Sequence, residues 1–405
     1  MDRGARQQRG VVLIVLVNIS LYAVSFQLQR PIEPFLVKKL GADDVAYGRL
    51  MSFFSLLQSL GSPVVGATLD RIGPRLMFVV VFLSSAASYG ILSLSTSMAW
   101  LYLSKIPSVF QAGFLVAQAL VGASAHTEHD RAAALGRLTT AYTVGATLGP
   151  GLGGWFGKRG SYYAGAKLAV VLSLFSAALA FVLPDNRTKV LEKKRPQRGI
   201  LAVVGRRAIW PLLVVKALTG VSNSALGATL PLVLRDAKFD EQALGLAMSA
   251  TSMLVAVVGA FALGPLTSAC GSSRRLAVAA LATKVGSVFA FVPLAGVGPV
   301  GLAALSSFHT CVSHVMATSL TSSTTGSVAP DEQGALLGVE HALFAVARIF
   351  GPTMGTTLLG FKGGFALVAT VCACLDATTL SFAARVKRGD DDRDRVGKKE
   401  EQKDL

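Results

Sequence analysis

The sequence is 405 residues long, 52% hydrophobic and only 15% charged, with 41 glycines and a formal net charge of +16. Apolar runs recur from residue 11 to residue 383 at a mean hydropathy of +0.55, which excludes a soluble domain and places the chain among multi-pass membrane proteins. Basic cytoplasmic loops beside anionic lipid account for the positive excess, and no interleaved basic and aromatic surface points to nucleic acid.

Windows of about 20 apolar residues, the length that crosses a ~30 Å hydrocarbon core, predict an all-α membrane protein. Its twelve spans lie near 11–30, 46–68, 76–96, 99–122, 133–157, 161–183, 211–233, 243–266, 276–293, 298–324, 334–359 and 363–384. The first span follows Arg3, Arg6 and Arg9 without a small-residue cleavage site and reads as its own signal anchor. At its outer end Glu33 stands between Pro31 and Pro34 beside Arg30, either as a proton carrier or as an interfacial residue paired with Arg30. Gly66, Asp70, Arg71, Gly73 and Arg75 occupy the loop between the second and third spans. In the fourth span Lys105 is an embedded cation. Lysine, unlike arginine, can release its proton when desolvated, so Lys105 either titrates beside a central cavity or snorkels to the interface.

The fifth span contains "GRLTTAYTVGATLGPGLGG", residues 136–154, in which helix-breaking residues fill a membrane helix. Hydrocarbon tolerates them where neighbouring helices re-satisfy the backbone and small residues let helices approach closely, so this span reads as a packed, deformable interface. Beyond the basic linker at 184–210, Lys284 in the ninth span and Asp376 in the twelfth lie at similar depth and are expected to bury a structural ion pair. Arg348, midway along the eleventh span, pairs with a carboxylate of the other half or faces a substrate anion; Glu340 and His341 fit an inner gate.

Orientation follows from the loop cations. Of 39 Lys and Arg residues, 24 fall on the side of the N-terminus, seven on the opposite side and eight within spans, so both termini are expected in the cytoplasm. Cys270, Cys311, Cys372 and Cys374 lie in or near spans and form no external disulfide framework. On this topology Asn18 and Asn186 carry no glycan, and the highly charged tail 385–405 reads as disordered. His126, Glu128 and His129 lack the i, i+4 spacing of a zinc helix, and His309 and His314 are five apart, so no metal is expected. Without a G-x-x-x-x-G-K-[ST] loop, neither ATP nor another cofactor is expected, and the chain reads as a non-enzyme.

The halves repeat. A shift of 202 residues carries Leu135-Gly136 onto Leu337-Gly338, Gly149-Pro150 onto Gly351-Pro352 and Gly153 onto Gly355; a shift of 197 carries Pro34, Gly48 and Ser52 onto Pro231, Gly245 and Ser249. A parallel repeat of six-helix bundles, 1–183 and 211–384, is the layout of transporters that rock one half against the other.

The run from Gly66 to Arg75 resembles the loop signature G-x-x-x-D-[RK]-x-G-[RK]-[RK] of the major facilitator superfamily, with Pro74 replacing one basic residue. Gly136, Gly145, Gly149, Pro150, Gly153 and Gly154 fill every position of a pattern that resembles the antiporter motif of its drug:proton exchangers. "EPFLVKKLG", "DRAAALGRL" and "RIFGPTMG" are similar to its organic-cation-transporter-like solute carriers, whereas the fourth-span signature departs from the family, with Lys105 for Arg and Ser108-Val109 for Gln-Gly. The resemblance implies a cavity lined by spans 1, 4, 7 and 10. It also implies that Asp70 latches onto the start of the eleventh span, where a helix N-terminus favours an anion, while Arg71 and Arg75 hold it or nearby lipid phosphate. The activity implied is proton-linked export of small organic cations or drugs, with solute, protons and the bilayer as partners.

Two alternatives stand beside it. Eight embedded basic residues against the acids Glu33, Glu340 and Asp376 suit a uniporter or exchanger of organic anions. The second half, where "GPLTSACGSSRR" lacks the loop Asp, suits a transport-inactive membrane scaffold or regulator.

Overall fold

The computed structural model describes residues 2–124, 128–183, 209–292, 298–325 and 333–380. Most of the linker at 184–210, the tail 385–405 and His126 lie outside them. The described residues are helical, without strands, and form an all-helical membrane fold. In the first half these are α1 (Asp2–Gln27), α2 (Glu33–Lys39), α3 (Asp44–Ser93), α4 (Met98–Lys105), α5 (Gly113–Ser124), α6 (Glu128–Lys158) and α7 (Ala164–Phe181). In the second they are α8 (Trp210–Asp236), α9 (Glu241–Val257), α10 (Leu263–Cys270), α11 (Ser273–Ala290), α12 (Pro299–Thr325), α13 (Gln333–Leu359) and α14 (Gly364–Leu380).

Among the described residues seven helical stretches are long and apolar enough to cross a membrane. One of them, α3, is 50 residues long, or ~75 Å at 1.5 Å per residue, more than twice a hydrocarbon core. It holds the second and third spans. The expected loop between them contracts to a kink at Gly73, whose φ of 81° suits a residue without Cβ, and Pro74 then fits the first turn of the following helix.

The fourth span is not the continuous helix expected. A 3₁₀ turn, Ile106–Phe110, separates α4 from α5, because Pro107 withholds a backbone donor and Gln111–Ala112 leave the helix altogether. The eighth span also changes pitch, passing from α9 through a π turn at Val258–Ala262 into α10.

Side-chain placement is inside-out relative to a water-soluble helix. On α7 the small residues Ala166, Ala169, Ser173, Ser176 and Ala177 are buried, while Val171, Leu174 and Phe175 are exposed. A lipid solvent explains both faces: large apolar groups need no shelter from it, and small residues bring helix backbones together.

The contacts divide the chain into two compact units. Met1–Pro196 with Leu230–Ala256 form the first, and Gln197–Thr229 with Val257–Leu405 the second. The first packs α1 on α6 and α7, and α3 on α7, around Val15, Ile19, Met77, Phe78, Phe82 and Leu120. The second packs α11 on α12, with Leu212, Leu276, Leu281 and Met316 at its centre.

Candidate functional site

Glu33 begins α2 and Lys105 ends α4, where Pro107 stops the helix. Both are about nine-tenths buried, at 8% and 9% exposure, and Lys105 Nζ donates to Glu33 Oε1. Two site residues taken separately from the sequence therefore meet, and Arg30, the other partner considered for Glu33, is exposed. The ammonium also lies 5.4 Å from the centre of the Phe54 ring. Phe54 continues through Phe26 at 5.9 Å to Tyr22 at 6.4 Å, giving the pair an aromatic flank suited to organic cations. Arg348, the third residue of that set, is half-buried on α13 of the second unit.

The loop motif is held locally by backbone geometry. Gly73 supplies the left-handed residue, Asp70 is half-buried, Arg71 is exposed and Arg75 is half-buried. A Cβ on Gly66 would meet nothing within 4 Å, so packing in this unit does not require glycine there.

The glycines of the fifth span work on two faces of α6. Gly145, Gly149 and Gly153 recur every fourth residue and lie against the α1 backbone at Ser20, Val24, Gln27 and Leu28, leaving no room for Cβ atoms. On the other face Gly154 abuts the carbonyl of Glu241, Gly245 of α9 abuts that of Pro150, and Gly151 N–H donates to Ser249 Oγ at 2.8 Å. Gly136, nearer the start of α6, has open space where its Cβ would be.

Polar groups close the same end of the first unit. Arg235 at the end of α8 grips both oxygens of Asp44 at 2.9 and 3.1 Å, bonds Asp236 and donates to the carbonyl of Pro34 at 3.3 Å. Tyr162 donates to Glu241 at 2.7 Å. Asp240 accepts the Ala243 N–H at 2.7 Å and pairs with Lys158 at 3.2 Å, and the amide bond above all holds its carboxyl below the usual range. Sequence reading counted Arg235 as an outer-loop cation. Its role depends on Asp44, 191 residues away, which no local signal links to it.

In the second unit Lys284 of α11 and Asp376 of α14 are both fully buried, with Nζ 2.7 Å from each carboxylate oxygen and Ser222 Oγ donating to Asp376 at 2.9 Å. A second pair joins Lys216 of α8 to Glu340 of α13, which also accepts the Thr324 hydroxyl at 2.6 Å. The sequence named Glu340 and missed its lysine. His341 is exposed, and His309 Nδ1 meets Ser287 Oγ at 2.9 Å. Among the described residues no group of His, Cys, Asp and Glu is placed to hold a metal ion.

An all-helical fold, an inside-out helix surface and buried ion pairs define a multi-pass membrane protein. The family profile for the Major Facilitator Superfamily matches residues 15–352 and 212–404, and the chain belongs to that superfamily. It is 28% identical over 384 residues to solute carrier family 22 member 18 of Mus musculus, covering 87% of this chain and 90% of the relative. It is 26% identical over 375 residues to the class C tetracycline resistance protein of Escherichia coli, covering 87% and 90%. Among solved structures, the human organic anion transporter MFSD10 superposes with a TM-score of 0.67 at 22% identity, over 93% of this chain and 99% of that one. The nucleoside transporter NupG gives 0.75 at 11% identity, over 93% and 99%.

Proposed function

We propose that this transporter exports small organic solutes, cationic or drug-like, in exchange for protons, with Glu33 and Lys105 as the coupling pair. The observation that carries the reading is the buried contact between these two residues beside the Phe54–Phe26–Tyr22 row. A carboxylate in such a setting can hold its lysine, a proton or an organic cation, and these compete for the same oxygens. A proton arriving on Glu33 breaks the ion pair and displaces a bound cation; loss of the proton restores the carboxylate for the next solute. The drug-resistance relative and the complete glycine motif at Gly136–Gly154 support export.

Alternating access is carried by the two six-helix halves, 1–183 and 211–384, with both termini in the cytoplasm. The packing of α6 on α9 and the grip of Arg235 on Asp44 serve as the outer closure, which opens as these contacts separate. The loop from Gly66 to Arg75 serves the inner one.

Proteoliposomes under a pH gradient, challenged with cationic and anionic amphiphiles while lumenal pH is recorded, test the reading. Wild type is expected to move protons when a cation is added, and Glu33→Gln and Lys105→Ala to lose at least ten-fold of that response. An undiminished response in both variants would overturn the assignment.

Exchange of organic anions is the second reading. Each embedded acid is matched by a lysine, Glu33 by Lys105, Glu340 by Lys216 and Asp376 by Lys284, so the embedded balance stays basic. The MFSD10 structure, described as a human organic anion transporter, supports the same fold for that cargo. Proton movement triggered only by the anionic half of the panel would select it.

A further inference from the structure

The inner face of α1 carries a polar group on every turn from the bilayer middle to the coupling pair. Asn18, Tyr22, Ser25 and Gln29 fall within one narrow stripe of a 100°-per-residue helix. Past the end of α1 the chain passes through tight turns, with Leu28 N–H on Val24 and Glu33 N–H on Gln29, both at 2.9 Å, so Glu33 stands about one turn above Gln29. Fifteen residues at 1.5 Å each put Asn18 roughly 22 Å below Glu33 along the axis.

Apart from Tyr22, these groups are buried with side-chain atoms that have no protein partner among the described residues. Asn18 is 0% exposed, Ser25 2%, Gln29 5%, Gln111 4% and Ser176 0%. Neither amide atom of Asn18 has a hydrogen-bond partner among the described residues, nor do Ser25 Oγ, Gln29 Nε2, Gln111 Nε2 or Ser176 Oγ. The last two join the stripe from neighbouring elements. Tyr22 donates to the Gln111 carbonyl at 2.6 Å, which brings Gln111 beside α1 at the break in the fourth span. A Cβ on Gly165, near the start of α7, would lie 3.7 Å from Gln29 Nε2. Eleven residues further along the packed α7, Ser176 reaches about the depth of Asn18, eleven residues back along α1.

Six unpartnered donors and acceptors in one seam are too many for a membrane bundle to leave unsolvated, since hydrocarbon supplies no hydrogen bonds. Groups so spaced, each able to offer one or two bonds to the same neighbour, are what a buried water needs. Amide side chains hold water without passing protons themselves; the water molecules pass them, each accepting a proton on one side and releasing another onward.

We infer that this seam binds a file of ordered water molecules that conducts protons between the Glu33–Lys105 pair and the middle of the first unit. It rests on proton coupling as proposed above, and it assigns Asn18, Ser25, Gln29, Gln111 and Ser176 as positioning residues for water, distinct from the residues that bind solute.

Two measurements test it. In proteoliposomes, Asn18→Leu combined with Ser25→Ala should lower proton flux under a pH gradient at least ten-fold, while solute exchange at equal pH stays within two-fold of wild type. Asn18→Ser, which still holds water, should restore most of the flux. Proton flux unchanged in the doubly apolar protein would overturn the inference. The second measurement needs no transport: X-ray radiolytic footprinting of the wild-type protein should hydroxylate Tyr22, beside the seam, several-fold faster than Phe78 and Phe82, which are 0% and 1% exposed in the apolar core. Equal rates would also overturn it. Fast labelling of Tyr22 in a wild-type protein that moves no protons would retain the water file and sink the coupling reading.

Discussion

Lys284 and Asp376 set the most demanding constraint on any single residue. Each is wholly enclosed, and an ion taken out of water is stabilised only by its partner and by hydrogen bonds such as that from Ser222. Removing one member strands the other. Asp376→Leu or Lys284→Met alone is expected to destabilise the protein by about 3–5 kcal/mol, and the double change to recover most of that loss, because an apolar pair needs no solvation. Thermal unfolding in detergent checks the order; a double variant as unstable as the worse single one would contradict it. The pair is legible in the sequence because both residues lie at matching depth in apolar spans. The Lys216–Glu340 pair is not, since nothing local distinguishes Lys216 from a cation reaching the interface.

At the level of the element, α6 shows what its glycines are for. Those facing α1 and α9 sit where a methyl group has no room, and Gly136 sits where it has ample room. Gly245→Ala should therefore reduce solute transport at least ten-fold, because the new methyl would press on the Pro150 carbonyl, whereas Gly136→Ala should stay within two-fold of wild type. Uptake assays on equal amounts of folded protein decide this, and equal losses in both variants would count against packing as the cause. The motif itself could be read from spacing. Which glycine faces which helix could not, because that depends on how α6 is rotated against its neighbours. The broken fourth span carries the same lesson: Pro107 was visible, but a proline can kink a membrane helix or end it, and here the chain ends α4 at Lys105 and presents that residue to Glu33.

For the whole molecule, hydropathy and loop charge predict an arrangement of spans in which the basic loops share a side with the termini. In cells whose plasma membrane alone is opened with digitonin, tags at the N- and C-termini should both become protease-sensitive, whether the protein resides at the surface or in an internal membrane. A protected tag at either end would reverse the topology. The contact pattern adds that Leu230–Ala256, which belongs to the second sequence repeat, packs within the first unit through Arg235, Gly245 and Ser249.

By itself the sequence determined the all-helical membrane class and the superfamily, because apolar length and motif spacing are written along the chain and need no knowledge of neighbours. Only the tertiary structure decided which embedded charges meet. Glu33 and Lys105 lie 72 residues apart, and Arg235 and Asp44 lie 191 apart. Partner choice at such separations depends on the rotation and depth of each helix in its bundle, which are set by the packing of all the others.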